Sequence, residues 1–247
     1  MNSLSINMST NEQEVLHEQE KLIEHPFLVA FRTGNFSMSF AKRIVATQFG
    51  LNFEFITALT MMRRNFVLYP DFVCRFLDPH MATEFGSDLE PVAFKQSGTT
   101  HIQMLYNIAD SLQMSSEEIC NWGSDAQTFF EEAIIGLIGG EDLGCALGAL
   151  YADEVFAGAW LHTYYEGFKN FGKRTGKILN LEFFYSHANE VEPAHVKHAL
   201  YLPKFCEDMS LEKNAFFQGY TNFLYSLNKK FSALHSEMQL DTDLRAA

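Results

Sequence analysis

Apolar residues recur along most of this chain at intervals of three and four, the spacing of one helix face, and no stretch alternates apolar and polar positions as a strand would. Turn-forming residues punctuate the pattern. Asn11 to His25 reads as a charged surface helix ended by Pro26, because the residue before proline avoids helical backbone. Gly34-Asn35 marks a turn. Ser37 or Ser39 caps a long helix through Phe53 to about Phe66, stopped by Tyr69-Pro70. A shorter helix follows, interrupted at Pro79, with His80 to Phe85 after it and a loop over Gly86 to Gly98. Thr99 or Thr100 caps a helix through Leu112, and Ser115 with Glu118 offers a capping box for the next. Gly139-Gly140 precedes one long helix from Glu141 to about Phe171, closed by a basic turn from Gly172 to Gly176. Leu179 to about Phe205 is helical around an internal Pro193, and Ser210 caps a last helix from Leu211 to about Met238.

No internal repeat appears, and no glycine-rich loop follows a strand, so phosphate-loop and dinucleotide folds have no support. The pattern predicts an all-α, single-domain protein over residues 11–238, with a flexible N-terminus at 1–10 and a flexible polar tail at 239–247.

Composition narrows this further. The chain has 247 residues, enough for a substantial core, and 24 of them are Phe. So much aromatic area predicts an aromatic-rich core and leaves room for an apolar, water-poor pocket. The net charge of −13 repels a polyanion, so no nucleic-acid partner is expected. No apolar run approaches the ~20 residues that span a bilayer, so no membrane partner is expected either. Cys74, Cys120, Cys145 and Cys206 form no CxxC pair, and with no signal peptide in view the expected setting is reduced thiols in a cytoplasm.

The candidate chemistry concentrates in His187-Ala-Asn-Glu190-Val-Glu192-Pro193-Ala-His195-Val-Lys-His198. Glu192 and His195 share a helical face, and in an unbroken helix His187, Glu190 and His198 form a second stripe. Pro193 removes an N–H and crowds the carbonyl four residues back, so a one-residue bulge there would bring His187 onto the face of Glu192 and His195. Both registers remain open from sequence. Mixed imidazole and carboxylate suits iron or manganese better than a thiolate-preferring metal. In helical bundles such sites draw further carboxylates and histidines from other helices. Glu154, in an otherwise apolar stretch, needs a partner if buried. Glu84, His101 and Glu54 complete the candidate set, with Asp153 expected on the outer face beside Glu154. Taken singly, each is better explained by an ordinary ion pair. His162, Tyr164 and Tyr165 are read as packing or surface residues, and His80, after Pro79, as lining a turn.

From Glu24 to Phe205 this layout resembles the haem-oxygenase-like di-iron oxidases, the group that includes the chlamydial death-domain-associating protein. The similarity rests on His25-Pro-Phe-Leu-Val-Ala-Phe-Arg-Thr-Gly-Asn-Phe36, the Gln48-centred helix, Glu84-Phe-Gly86, His101-Ile-Gln-Met-Leu, Glu154 in Tyr151-Ala-Asp-Glu, and Glu192-Pro-Ala-His195 with His187 before it. The resemblance implies a haem-oxygenase-like helical bundle and two Fe(II) ions, with manganese as the other choice of metal. Its metal ligands would be Glu84, His101, Glu154 as the bridge, His187, Glu192 and His195, with Glu54 as an additional glutamate. Dioxygen would be the co-substrate, a small organic molecule such as an amino acid the partner, and a homodimer the assembly. This chain departs from the family pattern in three places. The Glu84–His101 gap is long, which makes Glu90 a competitor. The His187–Glu192 spacing is one residue longer than usual, so Glu190 and His198 could serve instead. The acid of the last helix is Glu rather than Asp. Two other functions fit the same fold: a metal-free thiaminase-like or pyrroloquinoline-quinone-synthase-like enzyme, the former needing an activated cysteine, and a non-enzymatic helical binding protein.

Overall fold

The computed structural model describes residue 21, residues 24–84 and residues 100–246, with the backbone alone at 83, 190–194 and 242–246. Most of the helix expected over Asn11 to His25, the loop from Gly86 to Gly98, and Glu90 lie outside the described residues. Everything regular among the described residues is helical.

The short α1 (Pro26–Arg32) leads into α2 (Met38–Asn65), capped by the Ser37 hydroxyl, which accepts from the Phe40 N–H. The segment α3 (Pro70–Phe72) runs through a π turn (Val73–Leu77) into α4 (Asp78–Glu84) without interruption. Pro79 therefore does not break the helix as the sequence suggested. In an α-helix its ring would crowd the carbonyl of Arg75, and the wider π turn just before it relieves that contact. Then come α5 (His101–Ser111), α6 (Ser116–Cys120) behind the expected capping box, and α7 (Gly123–Phe129) continuing as a π segment (Phe130–Ile138). The longest buried helix, α8 (Leu143–Thr175), runs through the expected basic turn and ends on left-handed Gly176. Next, α9 (Glu182–Ser186), a π turn (His187–Val191) and α10 (Glu192–Ala199) form one bent helix, followed by α11 (Leu202–Asp208) and α12 (Lys213–Ala246). Ser210 has φ +55° and closes α11 instead of capping α12: the Leu211 N–H reaches back to the Cys206 carbonyl. The last helix also runs past Met238 to Ala246, through residues read from sequence as a tail.

The axis of the bundle is α8. It packs along α12 and against α1, α10 and the π turn at His187–Val191, while α2 closes the other side. Small residues set the α8–α12 distance: a Cβ on Gly148 would stand 1.8 Å from the Phe216 carbonyl oxygen, and one on Gly219 2.0 Å from that of Cys145. At one end Phe31, Phe36 and Phe171 stack with centroids 4.4 and 5.0 Å apart, sealing α1 to α8. By length and composition α2 could cross a bilayer, but 61% of its most apolar stretch is buried inside the protein, as in a core helix.

Lys230, on α12, is the anomaly of this core. It is 2% exposed, and its Nζ has no hydrogen-bond partner among the described residues. The ammonium sits 4.5 Å from the Phe129 ring centre and 5.4 Å from that of Trp160. Burial pushes its pKa down to about 8, against the pull of Asp125 and Asp153. The unfolded chain holds this proton to higher pH, so the penalty is full below pH 8 and fades as pH climbs towards the unfolded value. Lys230→Met should therefore stabilise the fold at pH 7 by up to about 3 kcal/mol in urea denaturation, with the gain shrinking between pH 8 and 10. A gain equally large at both ends of that range would refute this account.

Candidate metal centre

Six titratable side chains converge between α2, α4, α5, α8 and the bent α9–α10 helix: His80, Glu84, His101, Glu154, His187 and His195, none more than 7% exposed. Local geometry explains each placement. His80 and Glu84 stand four residues apart on α4 and so share a face. His101 is the first residue of α5, fixed by the Thr100 hydroxyl, which accepts from the Gln103 N–H at 3.2 Å. Glu154 lies mid-way along α8, among alanines and phenylalanine. His187 and His195 are eight residues apart, which in a pure α-helix leaves them about 80° out of line. The π turn at His187–Val191 takes up one residue and brings them back to within about 20°.

The contacts fall into two groups. In the first, His80 Nε2 lies 2.9 Å from Glu154 Oε1, and His195 Nδ1 lies 3.2 Å from Glu154 Oε2. In the second, His101 Nδ1 lies 3.1 Å from Glu84 Oε2, and the rings of His101 and His187 are 4.3 Å apart. Glu84 joins the groups, because ligand atoms of His80, Glu84 and His195 all lie within 4.8 Å of one another. The bridging position that the family resemblance gives to Glu154 is thus matched here by the contacts of Glu84.

Burial alone would raise both carboxylates, but the imidazoles outweigh it. The charge and hydrogen bond of His101, with the charges of His195 and His80, hold Glu84 at about 2. His80 and His195 hold Glu154 far below the usual carboxylate range in the same way. Burial would lower His80, yet Glu154 and the charge of Glu84 keep it above its ordinary value. His187 goes the other way: burial and the neighbouring His101 push it well down.

These groups fit a metal. Two ligand atoms on one ion, each at about 2.1 Å, sit about 3 Å apart, the spacing seen here between the Glu154 oxygens and the nitrogens of His80 and His195. The histidine tautomers agree. A carbonyl can only accept, so His187 Nδ1 donates to the Phe183 carbonyl at 2.6 Å, which leaves the Nε2 lone pair free. His101 Nδ1 faces the Glu84 carboxylate, and its Nε2 is buried without a hydrogen-bond partner. Each ring is held by one nitrogen and presents the other, the orientation of a metal-binding imidazole. All-nitrogen and oxygen donors without thiolate suit iron or manganese.

A cavity of about 60 Å³ opens onto this cluster, bounded by Gln48, Asn52 and Phe55 of α2, by Asp153 and Trp160 of α8, and by Phe183. Five of the residues singled out from sequence, Glu84, His101, Glu154, His187 and His195, come together here. Glu54 does not: it is half-buried on α2, turned about 200° from Asn52, and it is not among the residues that line the cavity. His198 packs near Phe76, with ring centroids 6.5 Å apart. The side chains of Glu190 and Glu192, like Glu90, lie outside the described residues.

Two corrections concern neighbours. His80 is a member of the cluster, not the lining of a turn, because the helix carries on through Pro79. Its four-residue spacing to Glu84 was the available signal. Asp153 lines the cavity instead of the outer face, and burial, then the charges of Glu154 and Glu84, raise its pKa well above the usual range. Asn52 carried no sequence signal beyond its place in an apolar helix, and Gln48 only its place at the centre of the helix that enters the family resemblance.

No family model and no curated protein sequence matches the chain. Solved structures do. A CADD-like protein of unknown function from Nostoc punctiforme superposes with a TM-score of 0.67 at 15% identity, over 92% of this chain and 99% of that one. A TenA homologue from Pseudomonas syringae pv. tomato gives 0.66 at 14% identity, over 91% and 92%. At such identities the likeness shows the fold, the haem-oxygenase-like helical bundle that both neighbours share, and not the chemistry.

Cobalt(II), a redox-quiet stand-in, should bind at two ions per chain and raise the melting temperature, each ion stabilising the fold by about 2.7 kcal/mol at a hundredfold excess over its Kd. His80→Ala and His101→Ala, one in each group, should each leave a single ion in equilibrium dialysis, while Glu54→Ala keeps both. One ion in the wild type would overturn the two-group arrangement.

Proposed function

We propose that His80, Glu84, His101, Glu154, His187 and His195 hold two transition-metal ions, iron first and manganese second, and that the protein is a dioxygen-dependent oxidoreductase acting on a small organic substrate. The observation that carries this reading is the convergence of four imidazoles and two carboxylates, all buried, into one cluster, of which Glu84, Glu154, His187 and His195 line a cavity. A non-enzymatic bundle has no reason to bury six such groups, since unpaired charge inside a core is costly. Two ferrous ions, when bound, supply electrons for the reduction of dioxygen.

The protein's own part is positioning and exclusion of water. Phe183 holds His187 through its carbonyl and Glu84 orients His101, so the centre is organised before any ion arrives. Leu51, Phe55, Leu161 and Phe183 line the cavity with apolar surface, which keeps a reactive centre from leaking to solvent. Asp153, beside Glu154 and on the cavity wall, is the group placed to hold or pass a proton there.

The metal-free, thiaminase-like reading requires a cysteine nucleophile at the cavity. Cys74 and Cys120 are exposed, burial raises the thiol pKa of Cys145 and Cys206, and none of the four lines the cavity. Protein loaded anaerobically with ferrous iron should retain two irons per chain and consume dioxygen on mixing. Glu154→Ala should lose at least one iron and cut the rate of oxygen uptake by a hundredfold or more, about 3 kcal/mol of barrier. Full iron loading and unchanged uptake in that variant would end the proposal, and inhibition of the wild type by a thiol-blocking reagent would favour the cysteine reading.

A further inference from the structure

Gln48 and Asn52 stand one turn apart on α2, both buried, and both line the cavity that faces Glu84, Glu154, His187 and His195. Each leaves a buried atom without a hydrogen-bond partner: the Gln48 Nε2 donor and the Asn52 Oδ1 acceptor. Trp160, on α8, also lines the cavity and leaves its Nε1 donor in the same condition. Native cores leave few such groups unsatisfied, because each forfeits its hydration without return. Three around one small chamber mark a place where a ligand supplies the missing partners.

Resting on the reading of this chamber as the place of reaction, the geometry points to Gln48 and Asn52 as the residues that select the substrate, and to an uncharged carboxamide-type head, a carbonyl beside an N–H, as the group they select. The carbonyl accepts from Gln48 Nε2, with Trp160 Nε1 as a second donor, and the N–H donates to Asn52 Oδ1. No Lys or Arg lines the chamber among the described residues, while Glu84, Asp153 and Glu154 all do. A carboxylate head would find repulsion and no cationic clamp, and a bare ammonium would leave both donors unanswered. The rest of the chamber, Leu51, Phe55, Ala157 and Leu161, takes a short apolar body.

The test needs no metal turnover. In a Trp122→Phe background, Trp160 is the one remaining tryptophan and reports the chamber by fluorescence. Butanamide, butanoate and butylamine, matched in length, are titrated into metal-free protein and into protein loaded with zinc. Butanamide should bind saturably in both states, at least tenfold more tightly than either of the others. Gln48→Leu and Asn52→Leu should each weaken butanamide about tenfold or more, the effect of leaving one polar partner unmatched. The same variants should keep or raise the melting temperature, since each replaces a dissatisfied buried amide by an apolar side chain of similar size. A merely structural role predicts the opposite shift. Butanoate binding as tightly as butanamide, variants that bind like the wild type, or variants that lose stability would each overturn the assignment. Metal stoichiometry, measured separately on the same samples, shows whether the dinuclear reading fails independently of it.

Discussion

Burying the Glu84 and Glu154 carboxylates inside an aromatic bundle costs several kcal/mol per ion unless opposite charge sits in contact with them. Four imidazoles from three helices meet that requirement, and the shifts of Glu154 downwards and of His80 upwards are two sides of the same attraction. This is an unusual way to balance a core. Arg or Lys would do it once and permanently, whereas imidazole can give up its proton and offer a lone pair instead. A cluster neutralised by histidine alone can exchange protons for metal ions without rearranging its helices. His187, driven towards its neutral form by burial and by His101, is already in the state that a metal requires.

Such a cluster demands exact register from helices that share no sequence adjacency, and the π turns supply it. One lies directly ahead of Pro79 and carries the chain through to His80 and Glu84, and another begins at His187. Without the first, the proline would end the helix one turn short of the site. Without the second, His187 and His195 would face different neighbours. The widened turns give up regular hydrogen bonding at two places, and the bundle recovers the loss through the close α8–α12 contact at Gly148 and Gly219 and through the stacked phenylalanines beyond.

Much of this was legible in the residues. Helical spacing and caps located the starts of α2, α5 and α6, because Ser37, Thr100 and Ser115 act through purely local hydrogen bonds. The isolated Glu154 and the possibility of a bulge near Pro193 were readable for the same reason: burial and proline sterics are properties of short segments. What escaped depended on distance or on context. Pro79 looked like an end because the π turn that accommodates it leaves no mark in composition, and His80 was set aside with it. Glu54 looked as isolated as Glu154, but the direction in which α2 faces the core is decided by packing. Asp153 and Glu154 are adjacent, so one was assigned inwards and one outwards; a chamber that wraps around α8 admits both.

The two neighbouring structures share the fold of this chain and differ from it at about six of every seven aligned positions. A shared bundle therefore says where a cavity will form and little about what happens in it. What the chemistry depends on is a few inward positions on α2, α4, α5, α8 and the α9–α10 helix. In this chain those positions hold four imidazoles, two salt-bridged carboxylates, a third acid and two unsatisfied amides, with no thiol among them. A nucleophilic mechanism would leave the imidazoles without a task, and a purely structural role would leave the amides unexplained. Metal binding by the first set and recognition of a neutral polar head by the second would account for both, and Glu84, Glu154, His187 and His195 of the first set share one chamber with the two amides.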